Sequence, residues 1–95
     1  MATAHEQAVL AFSEKLETEG GTVISANVQE GAPLQIFAQN GEGELAFYQV
    51  RTEDAPDPTE DERKAFLDLA ARHRVVPYWV RMGAGLAPAR VEKGG

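Results

Sequence analysis

Two long polar side chains, Gln49 and Arg51, stand near the end of an otherwise apolar segment over residues 44–52. Strand alternation predicts one face with Leu45, Phe47, Gln49 and Arg51 and another with Ala46, Tyr48, Val50 and Thr52. A hard divalent cation prefers anionic oxygens, whereas an amide offers only a dipole. Arginine stays protonated and cannot act as a base. The pair therefore predicts a polar site without a bound metal or other cofactor.

The elements that position this segment begin with an amphipathic helix. Thr3 and Glu6 have the spacing of a capping box, and Val9, Phe12 and Leu16 recur at helical intervals. The pattern predicts a helix over residues 3–19, which the glycines at 20 and 21 end.

Three strands are predicted after the helix. Residues 22–28 are β-branched, residues 30–32 are typical of a turn, and residues 33–38 favour a second strand. The pair Asn40-Gly41 indicates a hairpin into the third strand, over residues 44–52. This arrangement is an antiparallel three-strand meander.

A second helix and a fourth strand follow an acidic, proline-containing loop over residues 53–58. Thr59 and Glu62 repeat the capping-box spacing, and a helical face follows with Phe66, Leu69, Ala70 and His73. Residues 75–82 favour a strand, with Pro77 at a sheet edge or strand start. A helical crossover returns a strand parallel to its neighbour, so the order α-β-β-β-α-β predicts an α/β fold with a mixed sheet.

Length and composition predict one domain. The 95 residues fit a single core over residues 1–82, followed by a Gly/Ala/Pro-containing tail over 83–95 that we expect to be extended or mobile unless a partner holds it. The chain has no cysteine, no apolar run long enough for a membrane span and no signal-peptide pattern. We expect a cytoplasmic protein.

The net charge of −6 disfavours avid binding to nucleic acid. Acidic residues concentrate between positions 53 and 62, and arginines occur later, so we expect solvated faces of opposite sign. The candidates for a nucleic-acid contact are Arg51, Arg72, Arg74 and Arg81.

The element order and several short segments resemble the restriction-endonuclease-like PD-(D/E)XK superfamily, and within it the archaeal type of Holliday-junction resolvase. The similarity covers residues 4–82 and includes His5-Glu6, the strand from Gln35, and Gln49-Val50-Arg51. In such nucleases the matching positions carry a helix glutamate, a metal-binding aspartate and Glu-X-Lys. The resemblance therefore implies a degenerate site at Glu6, Gln35, Gln49 and Arg51.

The departures from the family pattern remove its metal-binding capability. The formal charge of the site changes from −2 in the family, with three acids and one lysine, to zero here, with Glu6 and Arg51. Glu44 and Glu53 are possible displaced ligands, although Glu44 has the opposite strand parity to Gln49. Glu6 also has a structural explanation as a helix-capping residue, and Gln35, Gln49 and Arg51 have one as a hydrogen-bonded cluster with it.

Four further residues have no clear catalytic role. His5 lacks a second nearby ligand, and His73 follows Arg72 at a helix end, where it would complement the helix dipole. Tyr78 and Trp79 lie on alternate faces of their strand, so one is expected in the core and the other at a surface patch or subunit contact. The resemblance to dimeric resolvases favours a homodimer.

The sequence thus predicts a catalytically inactive nuclease-fold protein, related to Holliday-junction resolvases, with a role in binding or assembly. Three alternatives stay open: a nucleic-acid-binding module, a divergent metal-dependent nuclease, and a protein-interaction or purely structural homodimer module.

Overall fold

The computed structural model describes residues 3–29, 32 and 34–94. Helix α1 spans Ala4–Thr18, and Thr3 caps it by accepting a hydrogen bond from the Glu6 N–H at 3.1 Å. The predicted glycine stop is confirmed. Gly20 adopts a positive φ of 93°, and a Cβ on Gly21 would lie 2.7 Å from the Gln39 carbonyl oxygen.

The order of the predicted elements is confirmed, with one strand added at the end. Strands β1 (Thr22–Ala26), β2 (Ile36–Gln39) and β3 (Leu45–Thr52) precede helix α2 (Glu60–His73) and strand β4 (Val76–Met82). A 3₁₀ turn over Ala84–Leu86 then leads into strand β5 (Pro88–Lys93). The predicted turn over residues 30–32 and the start of the second predicted strand fall partly on Glu30, Gly31 and Pro33, which lie outside the described residues.

The strands form one mixed sheet in the order β1-β2-β3-β4-β5. β1 with β2 and β2 with β3 are antiparallel, which confirms the predicted meander. β3 and β4 are parallel, as the helical crossover requires, and β5 returns antiparallel to β4. The molecule is therefore a mixed α/β fold.

The two faces of the sheet carry separate apolar clusters. Val9, Phe12 and Leu16 of α1 pack on the face that holds Tyr48 and Val50. Phe66 and Ala70 of α2 pack on the opposite face. The predicted alternation along β3 is thus confirmed, because Phe47 joins the α2 cluster while Ala46, Tyr48 and Val50 join the α1 cluster.

The end of the chain differs from the expected tail. Residues 88–93 pair with β4, so the sheet continues beyond Met82. Pro77 lies near the start of β4, but this strand is internal because β5 covers its free edge. Pro77 has no N–H to donate to β5, but its carbonyl oxygen accepts from the Gly94 N–H at 2.8 Å, so one bond of this pair remains.

The helices offer no transmembrane segment. Within the described residues, neither α1 nor α2 combines the length and the hydrophobicity that spanning a bilayer requires.

Candidate functional site

Three of the four predicted site residues meet at one end of the sheet. Gln35 directly precedes β2, and its N–H donates to the Tyr48 carbonyl oxygen at 3.1 Å. The antiparallel register pairs Ile36 with Tyr48, so Gln35 lies beside Gln49 on the neighbouring strand. Gln49 and Arg51 are alternate residues of β3 and share a face. Gln35, Gln49 and Arg51 line one cavity of about 210 Å³.

The two glutamines are buried, with exposed fractions of 2% for Gln35 and 4% for Gln49. The Gln35 amide nitrogen donates to the Ala32 carbonyl oxygen at 2.7 Å. This bond directs its amide oxygen to His5 Nε2, at 3.0 Å. Because that oxygen can only accept, His5 donates through Nε2. The amide therefore joins α1 to β2 without any charged group of its own.

Arg51 connects β3 to the loop before α2 and to α2 itself. Its Nε donates to the Gln49 amide oxygen at 3.2 Å, and Nη1 donates to the Pro56 carbonyl oxygen at 3.2 Å. Its Nη2 lies 3.3 Å from a carboxylate oxygen of Glu62. A guanidinium suits this role because its donors have fixed, divergent directions. The positive charge of Arg51 is thus matched by Glu62.

Glu62 has two tasks at the start of α2. Its carboxylate accepts from the Thr59 N–H at 3.0 Å, and its own N–H donates to Thr59 Oγ1 at 3.1 Å, so the predicted capping box is confirmed. The pKa of Glu62 is lowered, first by the backbone hydrogen bond from Thr59 and further by Arg51. The carboxylate therefore stays ionised and committed to these donors.

Glu6, the fourth predicted residue, does not line this cavity. It lies in the first turn of α1, where its N–H is bonded to the capping residue Thr3. The neighbouring residue His5 faces Gln35 instead. His5 and Glu62 are thus the residues that sequence reasoning did not assign to the site. The local patterns that contain them, His5-Glu6 and the capping box of Glu62, do not indicate these contacts, because only the tertiary fold brings both residues to Gln35 and Arg51.

The donor set of the cavity does not fit a hard cation. Its polar lining residues carry two amides, an imidazole, the Thr52 hydroxyl and a guanidinium that is paired with one carboxylate. Magnesium requires several oxygen ligands, usually with one or two carboxylates. Among the residues that the structure describes, no three His, Cys, Asp or Glu side chains are grouped so that they could hold a metal ion.

The proposed displaced ligands lie elsewhere. Glu44 precedes β3 at its opposite end, where it accepts from the Tyr78 hydroxyl at 2.5 Å, from the Asn40 amide at 2.9 Å and from Lys93 at 3.4 Å. The Tyr78 bond is the main cause of a lowered Glu44 pKa. The Tyr78 pKa is raised, mainly by burial and then by the bond to Glu44. Glu53 lines a different cavity with Met82.

The four candidate arginines for nucleic-acid contact separate into two pairs. Arg51 and Arg81 are register neighbours near the ends of the parallel strands β3 and β4. Arg72 lies in the last turn of α2 and Arg74 follows it, next to the start of β4. Because α2 runs back along the sheet, these two pairs lie at opposite ends of the molecule.

Arg81, like Arg51, makes several hydrogen bonds and an ion pair. Its Nη1 donates to the carbonyl oxygens of Thr52 at 2.9 Å and Ala55 at 2.6 Å, and its Nη2 pairs with Asp57 at 2.5 Å. Arg81 lines a small cavity of about 50 Å³, which is also lined by Arg63, Arg90 and Glu92. Carboxylates thus neutralise much of the positive charge here.

Trp79 also lines this arginine-containing cavity. Its ring packs at 4.7 Å from the Phe66 ring, and the Arg63 guanidinium lies 4.9 Å from its centroid. Tyr78 lies on the other face and stacks on Tyr48 at 5.0 Å. The predicted alternation of faces is confirmed, but both side chains are half-buried against a core cluster, so the expected division into one core and one surface residue is wrong.

No protein-family model matches the chain, and a search of curated proteins finds no significant match.

Proposed function

We propose that this chain is a catalytically inactive protein with a restriction-endonuclease-like core, related to Holliday-junction resolvases, and that its role is binding or assembly. The observation that carries this proposal is a pair of adjacent buried amides, Gln35 and Gln49, at positions where the resemblance implies carboxylates. Arg51 stands next to them and is committed to Glu62.

The topology supports the proposed relationship. The core has the order α-β-β-β-α-β, and the helices pack on opposite faces of a mixed sheet. The resemblance implies that Glu6 of the first helix converges with Gln35, Gln49 and Arg51, and the structure brings its neighbour His5 there instead. Here His5 of α1 approaches Gln35 before β2 and lines the same cavity as Gln49 and Arg51 of β3.

The chemistry of the cavity explains the proposed loss of activity. Metal-dependent hydrolysis of a phosphodiester requires a cation that activates water and stabilises the charge developing on phosphorus oxygens. Such a cation would gain no favourable charge interaction from Gln35 or Gln49 and would meet the Arg51 guanidinium. Arg51 cannot accept a proton from water. The amide network instead joins α1, β2 and β3.

A cleavage assay tests this proposal. The substrates are four-way junctions, duplex DNA and single-stranded DNA, each incubated with Mg²⁺ or Mn²⁺. We expect no metal-dependent cutting. Cutting that is abolished by Glu6→Ala or Gln49→Ala, while the exposed control Gln39→Ala retains it, would show that the chain is a divergent nuclease and would refute the proposal.

The pairing of Arg51 with Arg81 favours nucleic-acid binding as a second candidate function. Arg63 and Arg90 line the same small cavity, although Asp57, Glu62 and Glu92 partly neutralise this group. If the chain binds nucleic acid here, affinity should fall with salt and Arg90→Ala should weaken it. Arg74→Ala, at the other end of the sheet, is the matched control. Equal binding by both variants would exclude this surface.

A further inference from the structure

Strand β5 forms a free edge of the sheet. The Gly94 N–H donates to Pro77 O at 2.8 Å, so the backbone groups of Gly94 point toward β4. In an antiparallel strand these directions alternate from residue to residue, so the groups of Glu92 also point toward β4. The N–H and C=O groups of Val91 and Lys93 therefore point outward, where a further strand can pair with them.

The side chains on this edge have a self-complementary order. Arg90 and Glu92 flank Val91, and the register places both charged residues on one face of the sheet and Val91 on the other. In an antiparallel pairing of two copies centred on Val91, Arg90 of each copy lies opposite Glu92 of the other. Val91 meets its own counterpart, and Ala89 lies opposite Lys93.

The exposures of these residues fit that pairing. Val91 leaves 45% of its surface exposed, and the Arg90 and Glu92 side chains leave 62% and 57%. Within the described part of one chain, Arg90 and Glu92 form an ion pair only with each other, at 3.3 Å. Charges commonly protect a free edge from unwanted strands. Here their alternating sign favours one specific antiparallel partner, because opposite charges then meet directly across the two strands.

The opposite edge of the sheet lacks this regular pattern. β1 carries a bulge between Val23 and Ser25, which leaves Ile24 outside the regular pairing with β2. Such a bulge twists an edge and hinders the addition of another strand. The self-complementary segment is therefore specific to β5.

We propose that two copies of this chain associate through their β5 strands, in an antiparallel pairing centred on Val91 that joins two five-stranded sheets into one. This inference uses the edge strand and is independent of the metal-site argument. A monomeric protein would overturn it and leave the proposed loss of nuclease chemistry unaffected.

Sedimentation equilibrium tests the association between about 10 µM and about 1 mM protein. Val91→Pro removes an outward N–H that does not pair with β4, so it should abolish the dimer while the fold persists. Val91→Thr, which keeps that N–H, should still dimerise. A monomer throughout the concentration range, or an unchanged dimer in Val91→Pro, would overturn the proposal.

A charge exchange tests the register. Arg90→Glu or Glu92→Arg alone places like charges opposite each other twice per dimer and should weaken association about tenfold. The double variant R90E/E92R should restore the affinity of the unaltered chain. Single variants that dimerise as well as the unaltered protein would refute the pairing centred on Val91.

Hydrogen exchange supplies a measurement without substitutions. The amide of Val91 should exchange at least about tenfold more slowly at the highest protein concentration than at the lowest, because only the dimer satisfies it. The amide of Ile24 on the other edge is the internal control. Exchange of Val91 that does not depend on concentration would contradict the proposed pairing.

Discussion

The two ends of strand β3 differ in the charge of the polar side chains they hold. Before its first residue, the Glu44 carboxylate is surrounded by donors from Tyr78, Asn40 and Lys93. At its other end, the Gln49 amide stands beside Gln35, and the carboxylate that lines the same cavity, Glu62, comes from α2 and is held by Arg51 and Thr59.

The comparison shows that this sheet can stabilise a carboxylate where donors converge on it. The low pKa of Glu44 has that cause, with the Tyr78 hydroxyl contributing most. At the Gln49 end the donors converge on neutral amide oxygens instead. His5 donates to Gln35, and Arg51 donates to Gln49. These hydrogen bonds stabilise the fold, and the neutral amides have no net charge that would attract a cation.

The largest expected effect is at the amide end. Gln35→Ala leaves the His5 donor and the Ala32 carbonyl oxygen without their partner, so the free energy of unfolding should fall by about 1 to 3 kcal/mol. Chemical denaturation measures this change. Gln39→Ala, an exposed glutamine in β2, should change stability by no more than about 0.5 kcal/mol. Equal losses in the two variants would show that the buried amide has no special structural role.

A smaller effect is expected at the carboxylate end. Tyr78→Phe removes the hydroxyl that donates to Glu44 and should lower the free energy of unfolding by about 1 kcal/mol at neutral pH. The Glu44 pKa is lowered in the folded protein, so its contribution is complete above the ordinary value of 4.5 and is lost as the pH falls through the folded pKa.

The stability difference between Tyr78→Phe and the unaltered chain should therefore shrink below pH 4.5. Denaturation curves across the acidic range measure this dependence. Glu42→Gln, on the same hairpin turn, is the control and should change stability by at most about 0.5 kcal/mol. A difference that stays constant in acid would mean that Glu44 does not depend on Tyr78 for its ionised form.

Local patterns predict much of this fold. Capping residues locate the start of both helices, glycines locate the end of α1, and the alternation along β3 separates Tyr48 from Gln49. The same patterns do not predict strand β5, because its glycine, alanine and proline neighbours are typical of a loop. Its extended form depends on pairing with β4, which is a tertiary contact.

The candidate site is predictable to a similar extent. Strand parity places Gln49 and Arg51 together, and the resemblance adds Gln35. The partners of these residues are harder to predict from the sequence, because His5 and Glu62 belong to helices whose orientation only the folded chain determines. A capping-box pattern gives Glu62 a local role, but it does not indicate that the same carboxylate reaches Arg51 across 11 positions of sequence.

Titration with Mn²⁺, followed by the NMR signals of the glutamine side-chain amides, tests the central claim most directly. In the unaltered protein we expect the signals of Gln35 and Gln49 to broaden no more than that of exposed Gln39. The variant Gln35→Asp/Gln49→Glu/Arg51→Lys, which restores the acids and the lysine, should bind the ion in calorimetry and is the positive control. Saturable broadening centred on Gln49 in the unaltered protein would contradict the account.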